Sequence, residues 1–381
     1  MAGQFLLGLV LALPGTLFGI PAWTHALGFD IASQGRLIAL FFAGQFVCTA
    51  IAGSLVDRLG AERVLAAGCM LAAVAFAWLS GATTIGAALM AAAVMAAGGA
   101  AVNASTNTLV SDTFRQRRGS MLSLMATFGA AGALVAPLLF RGGFGPAAVT
   151  SRLWWLALST AGIAVVPLLV AAGERPRTAE PIGRMFALLR ERPLVGFIAL
   201  LALQFGNEAV LAGWTAAYAI AVLPGANGGM MIALYWGGLC LGRMTAPLLL
   251  ARLPKLVVVL GCAAVVAASV MAMAAARDEA ALAVAVLVAG IAIGPLSPTI
   301  VAVAADRYPH RMGAALGVLL SAAQIGGIVL PWATARTTIA LGYRAGLLVP
   351  MLGACGMVLG TVLAWRARAK SVACRVANAP S

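Results

Sequence analysis

Apolar residues run along this chain in blocks of about twenty, broken by Gly, Pro or charge. Those breaks predict twelve helical spans: about 4–24, 35–56, 64–82, 84–110, 119–140, 152–172, 194–222, 228–250, 255–275, 280–304, 312–333 and 343–365. A helix rises 1.5 Å per residue, so each is matched to the ~30 Å hydrocarbon core of a bilayer. The longest polar connection, 173–193, holds Glu174, Arg175, Arg177, Glu180, Arg184, Arg190, Glu191 and Arg192. It separates an N-terminal six-helix bundle (1–172) from a C-terminal one (194–366). The connection itself reads as a cytoplasmic linker with a short amphipathic helix, and 367–381 as a frayed cytoplasmic tail.

The two halves repeat. A shift of 194 residues pairs Leu40 with Leu234, Phe41 with Tyr235, Phe42 with Trp236 and Gly44 with Gly238. The same shift pairs Arg58 with Arg252, Asp112 with Asp306, Gly132 with Gly326 and Pro137 with Pro331. Six spans separate the copies, an even number, so both have the same orientation. Parallel six-helix repeats about an axis along the membrane normal build transporters with a site between the halves. The fold class is an all-α membrane protein of twelve helices in two parallel pseudo-repeats.

Composition narrows the class further. The chain is 62% hydrophobic and 9% charged over 381 residues, against roughly 25% charged in soluble domains. So little charge cannot cover a water-soluble protein of this size. The 44 Gly follow no triplet period and the six Cys no CxxC or metal spacing, which excludes collagen, disulfide scaffolds and thiol metal sites. The net charge of +14 is sided: of 25 Lys and Arg, eighteen fall in the connections on one face and six on the other. By the positive-inside rule both termini are cytoplasmic, in a multi-pass inner-membrane protein. The basic excess then reports topology and contact with anionic lipid, not a nucleic-acid partner. Met1-Ala2-Gly3 opens without a basic region, so the first span is read as a helix and not a cleaved signal.

Candidate chemistry lies inside the bundle. Ten of the eleven acidic residues sit in connections or at span ends, and Glu208 alone lies well within hydrocarbon. It is fourteen residues into its span, about 21 Å deep. A mid-membrane charge costs at least about 2.5–3.5 kcal/mol, so this carboxyl must face a cavity, pair, or hold a proton. A buried carboxyl holds its proton more tightly and can carry one from side to side; a protonated packing residue is the plainer alternative. Gln204, Glu208, Leu211, Thr215 and Tyr218 share a helical face, flanked by Asn207 and Trp214. Amides beside rings suit a polyol, which hydrogen-bonds the former and stacks its C–H face on the latter; interhelical bonding would use the same residues. Gln45, Gln324 and Asn103 are further candidates to line the cavity, whereas Asn107 reads as an end cap. Arg243 lies about 10 Å from the cytoplasmic end of its span. Pairing with Glu208 would need water or movement, and a tie to carbonyls is the competing reading. Metal clusters, phosphate loops and nucleophile–base pairs are missing, so neither cofactor nor enzyme activity is expected.

Between spans two and three stands Gly53-Ser54-Leu55-Val56-Asp57-Arg58-Leu59-Gly60-Ala61-Glu62-Arg63. This resembles the Gly-x-Leu-x-Asp-Arg-x-Gly signature of the major facilitator superfamily. The second copy keeps only Arg252, with Pro247, Ala251 and Pro254 at the other positions. The resemblance implies a cytoplasmic latch in which Asp57 and Arg58, with Asp112 as partner, bias the outward-facing state; loop charges that set topology are the plain reading. A weaker likeness is to the fucose/glucose/N-acetylglucosamine permease group, carried by Gly206-Asn207-Glu208-Ala209-Val210 through Gly213-Trp214 to Tyr218, by Asn103 with Arg118-Gly119, and by Pro298-Thr299. It implies proton-coupled uptake of a neutral sugar or sugar-like molecule by a monomer. Span one lacks the acidic residue some sugar symporters carry there, so sodium coupling stays open. So does a proton-coupled exporter of amphipathic drugs.

Overall fold

The computed structural model describes residues 1–114, 118–140, 145–170, 192–307 and 312–377; most of the expected linker, with its amphipathic helix, lies outside them. The described chain is helical, with no strand among the described residues. The helices are α1 (Ala2–Phe18), α2 (Pro21–Leu27), α3 (Ile31–Leu59), α4 (Ala61–Ser80), α5 (Ile85–Thr113), α6 (Arg118–Leu139) and α7 (Pro146–Val170). They continue as α8 (Arg192–Val222), α9 (Gly228–Arg252), α10 (Lys255–Ala275), α11 (Glu279–Ile293), α12 (Leu296–Arg307), α13 (Met312–Leu341), α14 (Tyr343–Gly346) and α15 (Leu348–Ala377). By length and apolarity eight described helices can cross a membrane, or nine with the bent pair α1–α2. The fifth, eighth and eleventh predicted spans are helical as α6, α9 and α13.

Three expectations change. The first span is not one helix: it bends by 80° between α1 and α2. Gly19 ends α1, and Pro21, which has no N–H to give, opens α2 at its first turn. The tenth span still crosses as one unit, Glu279–Ala304, but its helix is interrupted between α11 and α12 at Gly294-Pro295, where the proline withdraws a helical donor. The tail does not fray at Arg366, because α15 stays helical to Ala377.

Packing repeats with the sequence. α1 lies on α6 as α8 lies on α13. A Cβ on Gly132 would overlap the Phe5 carbonyl, and one on its repeat mate Gly326 would overlap the Ala202 carbonyl. Likewise Gly44 meets Ala96 on α5, while Gly238 meets Leu287 and Gly290 on α11; Gly290 is the 194-residue mate of Ala96. With no hydrophobic drive between helices in lipid, such backbone approach through small residues is what holds a bundle together.

Buried apolar side chains form two large clusters. One draws mainly on α8–α15, with Leu9, Ala12 and Ala133 from the first half. The other draws on α1–α7, with Val210, Trp214, Ala217 and Ala335 from the second. At the end that the charge count assigns outside, the halves touch closely. Gly15 and Gly19 lie on Ala212 and Ala216, Gly35 on Ala335, and Ile38 on Gly213. Arg344 closes α10 there by donating to the Ala274 and Ala276 carbonyls, a cation at a helix C-terminus. At the opposite end Lys255 pairs with Asp306 at 2.7 Å.

Candidate functional site

Glu208 sits midway along α8 with its carboxylate divided between two partners. Arg243 Nη2 lies 3.5 Å from Oε1, and Gln204 Nε2 donates to Oε2 at 2.8 Å. Gln204 is one helical turn earlier, so the sequence spacing alone sets that bond. The Tyr235 hydroxyl donates to the Glu208 carbonyl at 3.4 Å. The depth difference expected between Glu208 and Arg243 is bridged by direct contact of the two side chains. Arg243 also meets the competing expectation: its Nη1 donates to the Ala126 carbonyl of α6 at 3.2 Å. One guanidinium thus joins the acid of the second half to the backbone of the first. The Glu208 side chain is 19% exposed and that of Arg243 21%, so neither is fully enclosed by the packed helices.

The first half contributes neutral amides. Thr106 donates to the Val102 carbonyl at 2.7 Å, which leaves its oxygen to accept from Gln4 Nε2, also at 2.7 Å. Gln4 therefore presents its NH2, and Asn103 answers with Oδ1 at 3.2 Å. Asn107 Nδ2 donates to the same Oδ1 and to the Asn103 carbonyl, both at 2.8 Å. Starting from a backbone carbonyl, which can only accept, each amide orientation follows. Asn103 is half-buried and is left with its Nδ2 donors to offer. Asn107 is thus a member of this network and not a helix cap. Gln4 and Thr106 escaped the sequence reading; the signal was a polar residue in an otherwise apolar first span facing a second polar pair in the fourth.

Other expected site residues lie elsewhere. The Tyr218 hydroxyl donates to the Met273 carbonyl of α10 at 2.8 Å and the residue is buried, so it ties two helices. Asn207 is fully buried against α15; with its amide turned to satisfy both ends it donates to the Pro350 carbonyl at 2.9 Å and accepts from Ala354 N at 3.1 Å. Trp214 is buried where α8 meets α3, its ring beside Gly35. Gln45 is buried with its amide against Gly99 of α5. Sharing a helix with Glu208 did not bring Tyr218, Asn207 and Trp214 into hydrogen bonds with its carboxylate. Gln324, half-buried on α13, and Gln204, fully buried, each carry an amide oxygen without a partner among the described residues and shut from solvent in this conformation. In the loop signature Asp57 is half-buried and Arg58 exposed, neither in an ion pair among the described residues. Asp112 is half-buried in the last turn of α5.

A bundle of apolar helices in two repeats around an inward acid and an arginine defines a polytopic membrane transporter. The sequence model described as Major Facilitator Superfamily matches residues 1–331, and the chain belongs to that superfamily: it is a transporter, not an enzyme. No curated protein matches the sequence. Among solved structures, a mutant of the nucleoside transporter NupG is similar at 15% identity and a TM-score of 0.74, covering 95% of this chain and 98% of that one. The superfamily transporter FucP in its outward conformation is similar at 16% identity and 0.68, covering 95% and 97%. A mutant of the E. coli fucose:proton symporter FucP gives 17% and 0.65 over the same shares. At these identities the likeness is one of fold.

Proposed function

We propose that this transporter takes up a neutral sugar or sugar-like molecule together with a proton, and that Glu208 couples the two. The observation that carries the reading is the carboxylate held between Arg243 and Gln204 with Arg243 also on the Ala126 carbonyl. While Glu208 is ionised, Arg243 is held in place by its charge. A proton on Glu208 removes that attraction, leaves Arg243 with only a carbonyl, and loosens the join between α6 and α9. Proton occupancy thereby biases which way the halves rock, and alternating access about a midplane site follows. In this scheme 1–172 and 194–366 are the rocking units, 173–193 their cytoplasmic linker and 367–381 a cytoplasmic tail, in a monomer of the inner membrane.

Substrate class rests on the polar groups left over. Asn103 offers donors, and Gln204 and Gln324 hold spare acceptors that rocking of the halves would have to expose; a hydroxyl can serve both, and no formal charge besides the Glu208–Arg243 pair is needed. The folds of a nucleoside transporter and a fucose:proton symporter are in keeping with such a ligand. The test is uptake of labelled hexoses, deoxyhexoses and N-acetylhexosamines into proteoliposomes under an imposed gradient, acid outside. The wild type is expected to accumulate one of them. Glu208→Gln is expected to lose gradient-driven accumulation yet keep sugar-for-sugar exchange. Accumulation undiminished in Glu208→Gln would remove Glu208 as the coupling group.

A further inference from the structure

At the outer end a cleft of about 580 Å³ opens between the two halves, a volume within the usual range for small-molecule sites. Its walls differ in character. The wall from α2 and the start of α3 carries His25, Phe29, Asp30 and Gln34; the facing wall, from α8, α13 and α14, is Ala217, Ile220, Ala221, Ile339 and Tyr343. Asp30 is the one carboxylate among the lining side chains. One of its oxygens, Oδ1, accepts from Ser33 N at 2.7 Å and from the Ser33 hydroxyl. The other has no hydrogen bond among the described residues. Those Ser33 bonds, with Arg36 as the weakest contribution, hold the carboxyl below the ordinary range and so ionised. The Phe29 ring is fixed beside it, stacked on Trp23 at 5.4 Å and edge-on to Phe18 at 5.6 Å.

We infer that this outer cleft binds an amphipathic organic cation, its charged head between Asp30 and Phe29 and its apolar body along Ile220 and Ile339. A carboxylate and an aromatic face together attract a weakly hydrated cation, and the opposite wall adds only the phenol of Tyr343 to its apolar side chains, with no second carboxylate to compete for it. Beneath the cleft the floor is shut by Gly15 on Ala212 and Gly35 on Ala335. Because the two walls come from opposite halves, the ligand completes its contacts only while the outer ends stay together. A ligand that prefers one state enriches that state, so the cation acts as a lock on the outside-closed form and is not carried. The inference does not depend on what the central site transports.

The test places a cysteine at Ala221, which is exposed on the cleft wall, and follows its reaction with a membrane-impermeant maleimide in proteoliposomes, the unsubstituted chain giving the background. Benzyltriethylammonium is the probe, with glucose and benzenesulfonate as neutral and anionic controls. The expected result is a severalfold slowing of labelling by the cation alone. Asp30→Asn should abolish it; asparagine caps a helix as well as aspartate does, so α3 should start as before. Failure of the cation to protect, or protection that survives Asp30→Asn, would overturn the inference. Sugar uptake is read separately, so a failure there leaves this result standing.

Discussion

Gln4 sets the orientation of Asn103, and removing it tests whether that orientation matters. Gln4→Leu leaves the Thr106 oxygen without its donor and Asn103 Oδ1 with Asn107 alone, a loss of about 1–3 kcal/mol for a buried group. It should lower thermal stability modestly and raise the apparent KM for sugar more than it lowers kcat. An unchanged KM would separate Asn103 from the substrate. Arg243→Lys keeps the charge but loses the planar fork that reaches Glu208 and the Ala126 carbonyl together. Uptake should fall severalfold, whereas equal rates in transport assays would show that one contact suffices. At this scale the sequence made Glu208 legible because it is the single acid deep in an apolar span. For Tyr218 and Asn207 the sequence left interhelical bonding open beside sugar contact and could not choose between them; the structure shows the interhelical bonds. A helical face tells which side chains align, not whether that face meets a cavity, α10 or α15. The Ala126 carbonyl has no side-chain signal at all.

Helix pairs here are joined through backbone, and the seams should tolerate no added carbon. Gly326→Ala would push a methyl into the Ala202 carbonyl and Gly132→Ala one into that of Phe5, whereas Gly162 and Gly261 have open space around the added Cβ. The first two substitutions should cut the monodisperse fraction in detergent sharply and lower the melting temperature, and the latter two should behave like wild type. Comparable melting of all four would contradict the seam reading. The elements themselves were largely legible, because blocks of apolar residues bounded by Gly, Pro and charge leave little choice but a spanning helix. Bends were less so. Pro14 and Pro137 sit inside continuous helices while Pro21 and Pro295 mark breaks, and which a proline does depends on the packing that re-satisfies the freed carbonyl.

As a whole, the molecule is sealed at the end carrying Gly19 and Ala216, and alternating access requires that seal to part. Gly19 has an ordinary negative φ, and a Cβ there would lie 3.0 Å from the Ala216 Cβ, so the two helices need to part by only about 0.5 Å or more to reach the spacing of a disulfide. Oxidising the double variant Gly19→Cys with Ala216→Cys should stop uptake, and reductant should restore it; full-rate uptake when oxidised would mean these ends do not separate. The repeat was visible in the chain as one offset of 194 residues, and it returns as matched glycine seams. Which end is shut was not visible, since both conformations of such a bundle are built from the same helices. The account stands most directly on coupling. The measurement is an internal pH dye in proteoliposomes, with no imposed gradient, read as each sugar is added outside. The account predicts acidification with at least one sugar in the wild type and none with Glu208→Gln. Acidification of equal size in the substituted protein, or sugar entry with no acidification in the wild type, would contradict it.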